Sequence, residues 1–187
     1  MTISIDKQLK LEMTSVKHSE GLYAAINNSR EHLSAFLPWV DKMQTVNDFR
    51  DYIKQCELAY KEKREVSFVM LYEDTPVGRI GLHHMNLQNR NASVGYWLTK
   101  NSEGKGIVMR SCKELLAYGF EVLDLHRIEL KAAVENLRSL AVAEKLGFIK
   151  EGILREAELV NNKFLDLVLY SMLNSEWRER KSSVPKQ

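Results

Sequence analysis

Asn101-Ser102-Glu103-Gly104-Lys105-Gly106-Ile107-Val108-Met109-Arg110 sets two glycines, one residue apart, between a strand-like run and a helical one. Glycines at such a junction let the backbone turn sharply and approach a ligand closely, while the first amides of the following helix have no intrahelical acceptor. The layout suits an anion, and a phosphate is its natural partner. Lys105 and Arg110 add positive charge to a first turn whose dipole otherwise favours carboxylates. An ordinary turn also fits a GxG pair, so this stretch alone gives a place for an anion and not its identity. Counting excludes two familiar phosphate loops. A Walker loop needs Gly five residues before the Gly-Lys pair and Ser or Thr after it, but Thr99 and Gly106 stand there. A dinucleotide fingerprint needs a third glycine where this chain has Met109.

Composition frames the loop. With 187 residues, 44% of them hydrophobic, the chain has the size of one domain with a full core. Its 27 basic and 25 acidic side chains nearly cancel, so nothing global points to nucleic acid or a membrane surface, and an anion site must come from local placement. Cys56 and Cys112 fall in helix-like patterns without CxxC or Cys/His spacing, which reads as structural thiols in a reducing compartment and no metal site. Met1 to Lys7 lacks an apolar signal core, and no apolar run approaches the roughly 18 to 20 residues that span a bilayer. A soluble cytoplasmic protein is expected.

Along the chain, Gln8 to Met13 alternates like a strand, and Thr14 or Ser15 caps a helix to about Asn28. A short helical piece leads to Pro38. Thr45 and Asp48 read as a helix start, with Phe49, Tyr52, Ile53, Cys56 and Tyr60 on one face of a helix ending near Lys63. Val66 to Tyr72, Val77 to Met85 and Ala92 to Leu98 then read as an antiparallel meander, with Glu73 to Pro76 as its first turn. A helix from Gly106 to about Phe120, a strand from Arg127 to Val134 and a helix from Asn136 to Gly147 follow. Phe148 to Arg155 and Phe164 to Met172 make the last strand pair, joined across Asn161-Asn162. A charged tail from Arg178 is expected to fray.

The second informative segment is Val134-Glu135-Asn136-Leu137-Arg138-Ser139, followed by Glu144-Lys145-Leu146-Gly147-Phe148. A strand ends at an Asn that caps the next helix, and Ser139 projects from that helix's first turn. The chain thus offers two successive helix starts beside strand ends, where an open α/β sheet places ligands.

These segments, with Gly95-Tyr96-Trp97-Leu98, His32-Leu33, Leu37-Pro38-Trp39-Val40, Arg155-Glu156, Asp166, Tyr170-Ser171 and Glu176-Trp177, resemble the GCN5-related N-acetyltransferases (GNAT). Within that superfamily they are similar to the RimJ/RimL-like group that acetylates ribosomal-protein N-termini. The resemblance covers roughly residues 8 to 178, with 179–187 as a charged tail outside the domain. It implies an α/β fold with a mixed, mostly antiparallel twisted sheet of about seven strands flanked by helices, in a single domain. It also implies acetyl-CoA as co-substrate, with its pantetheine arm along Tyr96, Trp97 and Leu98. The pyrophosphate would lie on the Gly104, Lys105, Gly106, Ile107, Val108 and Met109 amides. Asn136 would orient the pantetheine amides, Lys145 would reach the CoA phosphates, and Glu158 would be the candidate base. The family usually has Gln or Arg three residues before the first loop glycine, where this chain has Asn101, a neutral amide that still donates.

Acetyl transfer needs an amine as free base, a donor for the developing oxyanion and a proton for the leaving sulfur. A strand amide near Trp97, freed by a bulge at Gly95, is the expected oxyanion donor, and Ser139 the expected source of the sulfur's proton. An α-amine, with a reference pKa of about 7.7 to 8.0 against about 10.4 for lysine, is the easier acceptor. Trp39 either lines the acceptor pocket or closes a small core. His83 and His84, adjacent on a strand, point to opposite faces and cannot share an ion; each reads as structural. The expected partner is the N-terminus of a ribosomal or other cytoplasmic protein. A polyamine-type acetyltransferase, calling for an acidic pocket near Trp39, and a non-catalytic acyl-CoA-binding module are the alternatives. Unpaired sheet edges suggest a homo-oligomer.

Overall fold

Phe68 and Met70 alternate with Val69 and Leu71 along one uninterrupted apolar run, and the alternation sends them to opposite faces of a sheet covered on both sides. In the computed structural model, which describes residues 1–183, Phe68 and Met70 join the larger core, beneath the helix that follows the glycine loop. Val69 and Leu71 join a second core against the first helices of the chain.

The strands are β1 (Thr2–Ser4), β2 (Leu9–Met13), β3 (Val66–Tyr72), β4 (Thr75–Asn86), β5 (Asn91–Leu98), β6 (Arg127–Ala133), β7 (Ile149–Val160) and β8 (Lys163–Leu173). They form one eight-stranded sheet in the order β1-β2-β3-β4-β5-β6-β8-β7. Only β5 and β6 pair in parallel. The helices are α1 (Ser19–Asn27), α2 (Arg30–Ser34), α3 (Val46–Lys61), α4 (Ile107–Ala117), α5 (Leu137–Leu146) and α6 (Asn174–Ser183). Thr45 caps α3 by accepting from the Asp48 amide at 3.2 Å, and Asp48 accepts the Thr45 amide in return at 2.8 Å.

Three sequence expectations change. The sheet has eight strands among the described residues where about seven were expected, because β1 is three residues long, too short for the alternation of Thr2, Ile3 and Ser4 to mark a strand. Thr75 and Pro76 belong to β4 and not to its turn: Glu73 and Asp74 alone, at φ of 50° and 60°, make the hairpin. The charged segment expected to fray is helical through Ser183, while the rest of the expected tail, 184–187, lies outside the described residues.

The crevice that matters opens between β5 and β6. Their pairing stops at Val94 and Leu130, yet both strands continue. Beyond that point β5 stays with β4, from Gly81↔Gly95 to Gly78↔Leu98, and β6 stays with β8. The sheet therefore splits into two arms. Gly78 lets β4 and β5 approach at the far end of their arm, since a Cβ there would stand 2.2 Å from the Trp97 carbonyl oxygen. Gly78→Ala is expected to cost about 1–3 kcal/mol, as overpacking against backbone does. An unchanged urea midpoint would refute that close contact.

Candidate functional site

Each arm ends in a helix start. β5 runs through a short 3-10 turn into Gly104 and Gly106, at φ of 76° and 69°, a left-handed conformation that glycine adopts without Cβ strain. A Cβ at either glycine would meet none of the described residues within 4 Å, so the loop's outer surface is open to them. Gly106 is the N-cap of α4 and supplies no side-chain cap, which leaves the first amides of the helix for a ligand. β6 runs into Asn136, whose Oδ1 accepts the Ser139 amide at 3.2 Å and starts α5.

Between these two helix starts lies a cavity of about 920 Å³. Tyr96, Trp97, Leu98, Gly104, Gly106, Ile107, Val108, Met109, Asn136, Ser139 and Lys145 all line it, so most of the expected donor-site residues are brought together. Lys105 is the exception. Its ammonium sits 5.1 Å from the centre of the Tyr72 ring and its side chain does not line the cavity. Arg110 is also engaged elsewhere, paired with Asp6. An anion at the loop would therefore meet backbone amides more than the two cations that sequence suggested.

A second cavity, of about 260 Å³, opens on the other side of the split. It shares Tyr96, Asn136 and Ser139 with the first, so two ligands could meet there. Trp39 lines it, stacked on Tyr52 with ring centres 6.2 Å apart and packed at 6.3 Å against Trp97. The Trp39 segment is braced by Arg30, which donates to the carbonyls of Val40 at 2.8 Å and Met43 at 2.6 Å. Glu158 lines the same cavity through a feature that sequence did not reveal. β7 carries extra residues between Leu154 and Glu158, with Glu156 at φ 50° and its amide donating to Asp166 at 2.8 Å. The bulge places Glu158 at the pocket. Burial raises the pKa of Glu158, and no cation is paired with it among the described residues.

The expected bulge at Gly95 is absent, because register with β4 is continuous there and the irregularity of that pair lies between His83 and Asn86. The freed amides arise differently. The Thr99 amide donates to Val77 and the Trp97 carbonyl faces Gly78, so the alternating backbone turns Tyr96 and Leu98 toward the split. Trp97 itself bonds toward β4, and its ring belongs to the second core. Past Val94 no strand on the β6 side pairs with the Tyr96 and Leu98 amides.

The Tyr96 hydroxyl was not foreseen either. It is buried, without a partner in hydrogen-bonding geometry among the described residues, where the two cavities join. Burial pushes its pKa up, and Ser139 lies near enough to act in the opposite direction. Burial likewise pushes the Cys112 thiol up to about 12 and Cys56 up to about 11, so neither is a thiolate nucleophile near neutral pH. Among the described residues no cluster of His, Cys, Asp and Glu could hold a metal ion, and no helix is long and apolar enough to cross a membrane.

Comparison with known proteins agrees with this architecture. The family model described as "Acetyltransferase (GNAT) domain" matches residues 8–149. A putative ribosomal N-acetyltransferase, YdaF of Bacillus subtilis (strain 168), is 33% identical over 96% of this chain and 99% of its own. The ribosomal-protein-serine acetyltransferase of Escherichia coli (strain K12) is 28% identical over 92% of this chain and 96% of its own. Among solved structures, the microcin C7 self-immunity acetyltransferase MccE in complex with acetyl-CoA and AMP superposes with a TM-score of 0.86 at 26% identity. That superposition covers 91% of this chain and 95% of the other.

Proposed function

We propose that this chain, which belongs to the GNAT acetyltransferase family, moves an acetyl group from acetyl-CoA to the N-terminal α-amine of a ribosomal or other cytoplasmic protein, through a domain spanning residues 8–178. The observation that carries the acceptor class is the lining of the smaller cavity. Glu158 is its one carboxylate among the described residues, in a lining that also includes Arg79, His83 and Lys131. A polyamine acetyltransferase would call for an acidic pocket there, and this lining is not acidic. The names of the two ribosomal relatives support the same acceptor.

The residues present fit acetyl-CoA. Open left-handed glycines, uncapped helix amides and a long cavity between two helix starts suit a pyrophosphate with an extended arm. When bound, acetyl-CoA supplies an activated acyl carbonyl and a sulfur leaving group. The rest is assigned to the chain. The amides of Tyr96 and Leu98 receive the charge that gathers on the acyl oxygen. Ser139, directly or through water, protonates the sulfur. Glu158 takes the proton of the acceptor ammonium, its raised pKa bringing it nearer to that of the amine. Asn136 spends its carbonyl on the α5 cap and keeps its amide for the pantetheine. With both thiols protonated, direct attack replaces a cysteine-bound route.

Ser139→Ala is expected to lower kcat by on the order of a hundredfold while Kd for acetyl-CoA changes little. An equal loss of both would make Ser139 a cofactor-binding residue only. The function itself is tested by intact-mass analysis of cytoplasmic proteins after incubation with labelled acetyl-CoA, where a labelled ribosomal protein supports the reading and labelled polyamine without labelled protein overturns it. A homo-oligomer belongs to the same proposal, supported by Ile149, Ile153 and Leu159 exposed on the edge strand β7 and Phe164 on β8.

A further inference from the structure

Forming an amide from an ammonium removes two protons from one nitrogen, and the residues assigned so far accept only one. Glu158 cannot take the second until it has passed on the first. The acceptor cavity holds another basic group, His83, on the opposite arm of the split sheet.

Its placement is built into the strands. Gly81 and Gly95 are register partners on β4 and β5, and the imidazole occupies the space their missing side chains leave. A Cβ on Gly95 would stand 3.2 Å from Nε2 of His83, and one on Gly81 would stand 3.1 Å from it. The other nitrogen, Nδ1, lies 3.1 Å from a carboxylate oxygen of Glu65. Glu65 is itself fixed by the buried Arg79. Against the upward push of burial, the His83 hydrogen bond and the Arg79 charge hold Glu65 down to about 2, so it stays an acceptor for Nδ1–H. That contact favours the tautomer with Nδ1–H toward Glu65 and a free lone pair on Nε2, the nitrogen beside Gly95 on the cavity wall.

We propose that His83, oriented by Glu65, is a second proton acceptor of the acetyl-transfer site and takes the proton that the nitrogen releases as the C–N bond forms. The inference rests on the amine-acetyltransferase reading. Glu158 takes the first proton from the ammonium, which frees the lone pair for the new bond. His83 takes the second as the nitrogen becomes an amide, and the Glu65 carboxylate stabilises the imidazolium. The C–S bond breaks with its electron pair on sulfur, which gains a proton from Ser139 or its water. Two protons leave nitrogen, one arrives on sulfur, and one reaches solvent; the His83 side chain is 25% exposed, enough to hand its proton to water.

The test is chemical rescue. His83→Ala is expected to lose roughly a hundredfold in kcat on a peptide with a free N-terminal serine, the usual scale for a general acid or base. Added imidazole, which fits the vacated space above Gly81 and Gly95, should restore at least about tenfold of that rate, while pyrazole, of the same size and far weaker as a base, should not. Equal rescue by both azoles would reduce His83 to packing and overturn the proposal, as would a wild-type rate in the variant. Should the alanine variant fail to fold, His83→Asn supplies a polar side chain that cannot take a proton, and it must show the same loss. A wild-type enzyme that acetylates no amine would take down the parent reading together with this one; a working wild type with an indifferent His83 removes this one alone.

Discussion

Replacing Gly106 with valine is expected to abolish acetyl-CoA binding and leave the protein folded. The residue sits at φ 69°, so any side chain there is strained, by roughly 1–2 kcal/mol for an L-residue in the left-handed region. A domain with a stability of about 5–15 kcal/mol survives that. None of the described residues lies within 4 Å of the added Cβ, so the new side chain meets no neighbour among them and stands where the ligand's pyrophosphate would approach. The expected loss in affinity for CoA by calorimetric titration is at least about a hundredfold, or about 2.7 kcal/mol. Gly106→Ala, with the same backbone strain and a smaller side chain, should lose less. Unchanged affinity in the valine variant would remove the loop from the site. With Lys105 over Tyr72 and Arg110 on Asp6, the loop has few side chains to compensate for lost backbone contacts.

The loop was readable from sequence because its information is local. Glycine spacing, the Thr45 and Asn136 caps and the apolar run from Val66 to Tyr72 each follow from a few adjacent residues, and β3, α3 and α5 stand within a residue or two of where they were expected, whereas β7 runs to Val160, five residues past its expected end at Arg155. What escaped depends on distant pairing. The position of Glu158 comes from a bulge pinned by Asp166 across the hairpin, and neither residue announces it alone. The crevice comes from β5 and β6 following different neighbours after Val94, a property of the whole sheet that was misassigned to a local irregularity at Gly95. The surroundings of His83 were equally illegible, since Glu65 at 3.1 Å and the ring space over Gly81 and Gly95 belong to three segments brought together only by folding. The place of the Lys105 side chain was not legible either, since nothing beside the glycine loop in sequence announces that its ammonium lies over Tyr72.

Glu158→Gln is expected to lower kcat/KM on an N-terminal peptide by about a hundredfold near pH 7, with the loss shrinking toward higher pH. In the wild type, burial raises the Glu158 pKa, and the proton-accepting form is the carboxylate. Its rate should therefore fall as pH drops through that raised pKa. Glutamine has nearly the same shape and the register with Leu165 should hold, but the amide accepts no proton. More of the substrate must then arrive as free amine, so the acidic limb of kcat/KM should move up toward the reference α-amine value of about 7.7 to 8.0. A pH series from about 6 to 9.5 brackets that value and reads the displacement directly. A rise in KM with saturated turnover and pH profile unchanged would instead assign Glu158 to holding the cationic N-terminus. A variant matching wild type throughout would leave it a solvated carboxylate. His83 still takes the second proton in Glu158→Gln, so that variant should recover rate at high pH, where the amine arrives already deprotonated. The double variant with His83→Ala lacks an acceptor for the proton released during bond formation, and raising the pH should not restore it to the same extent.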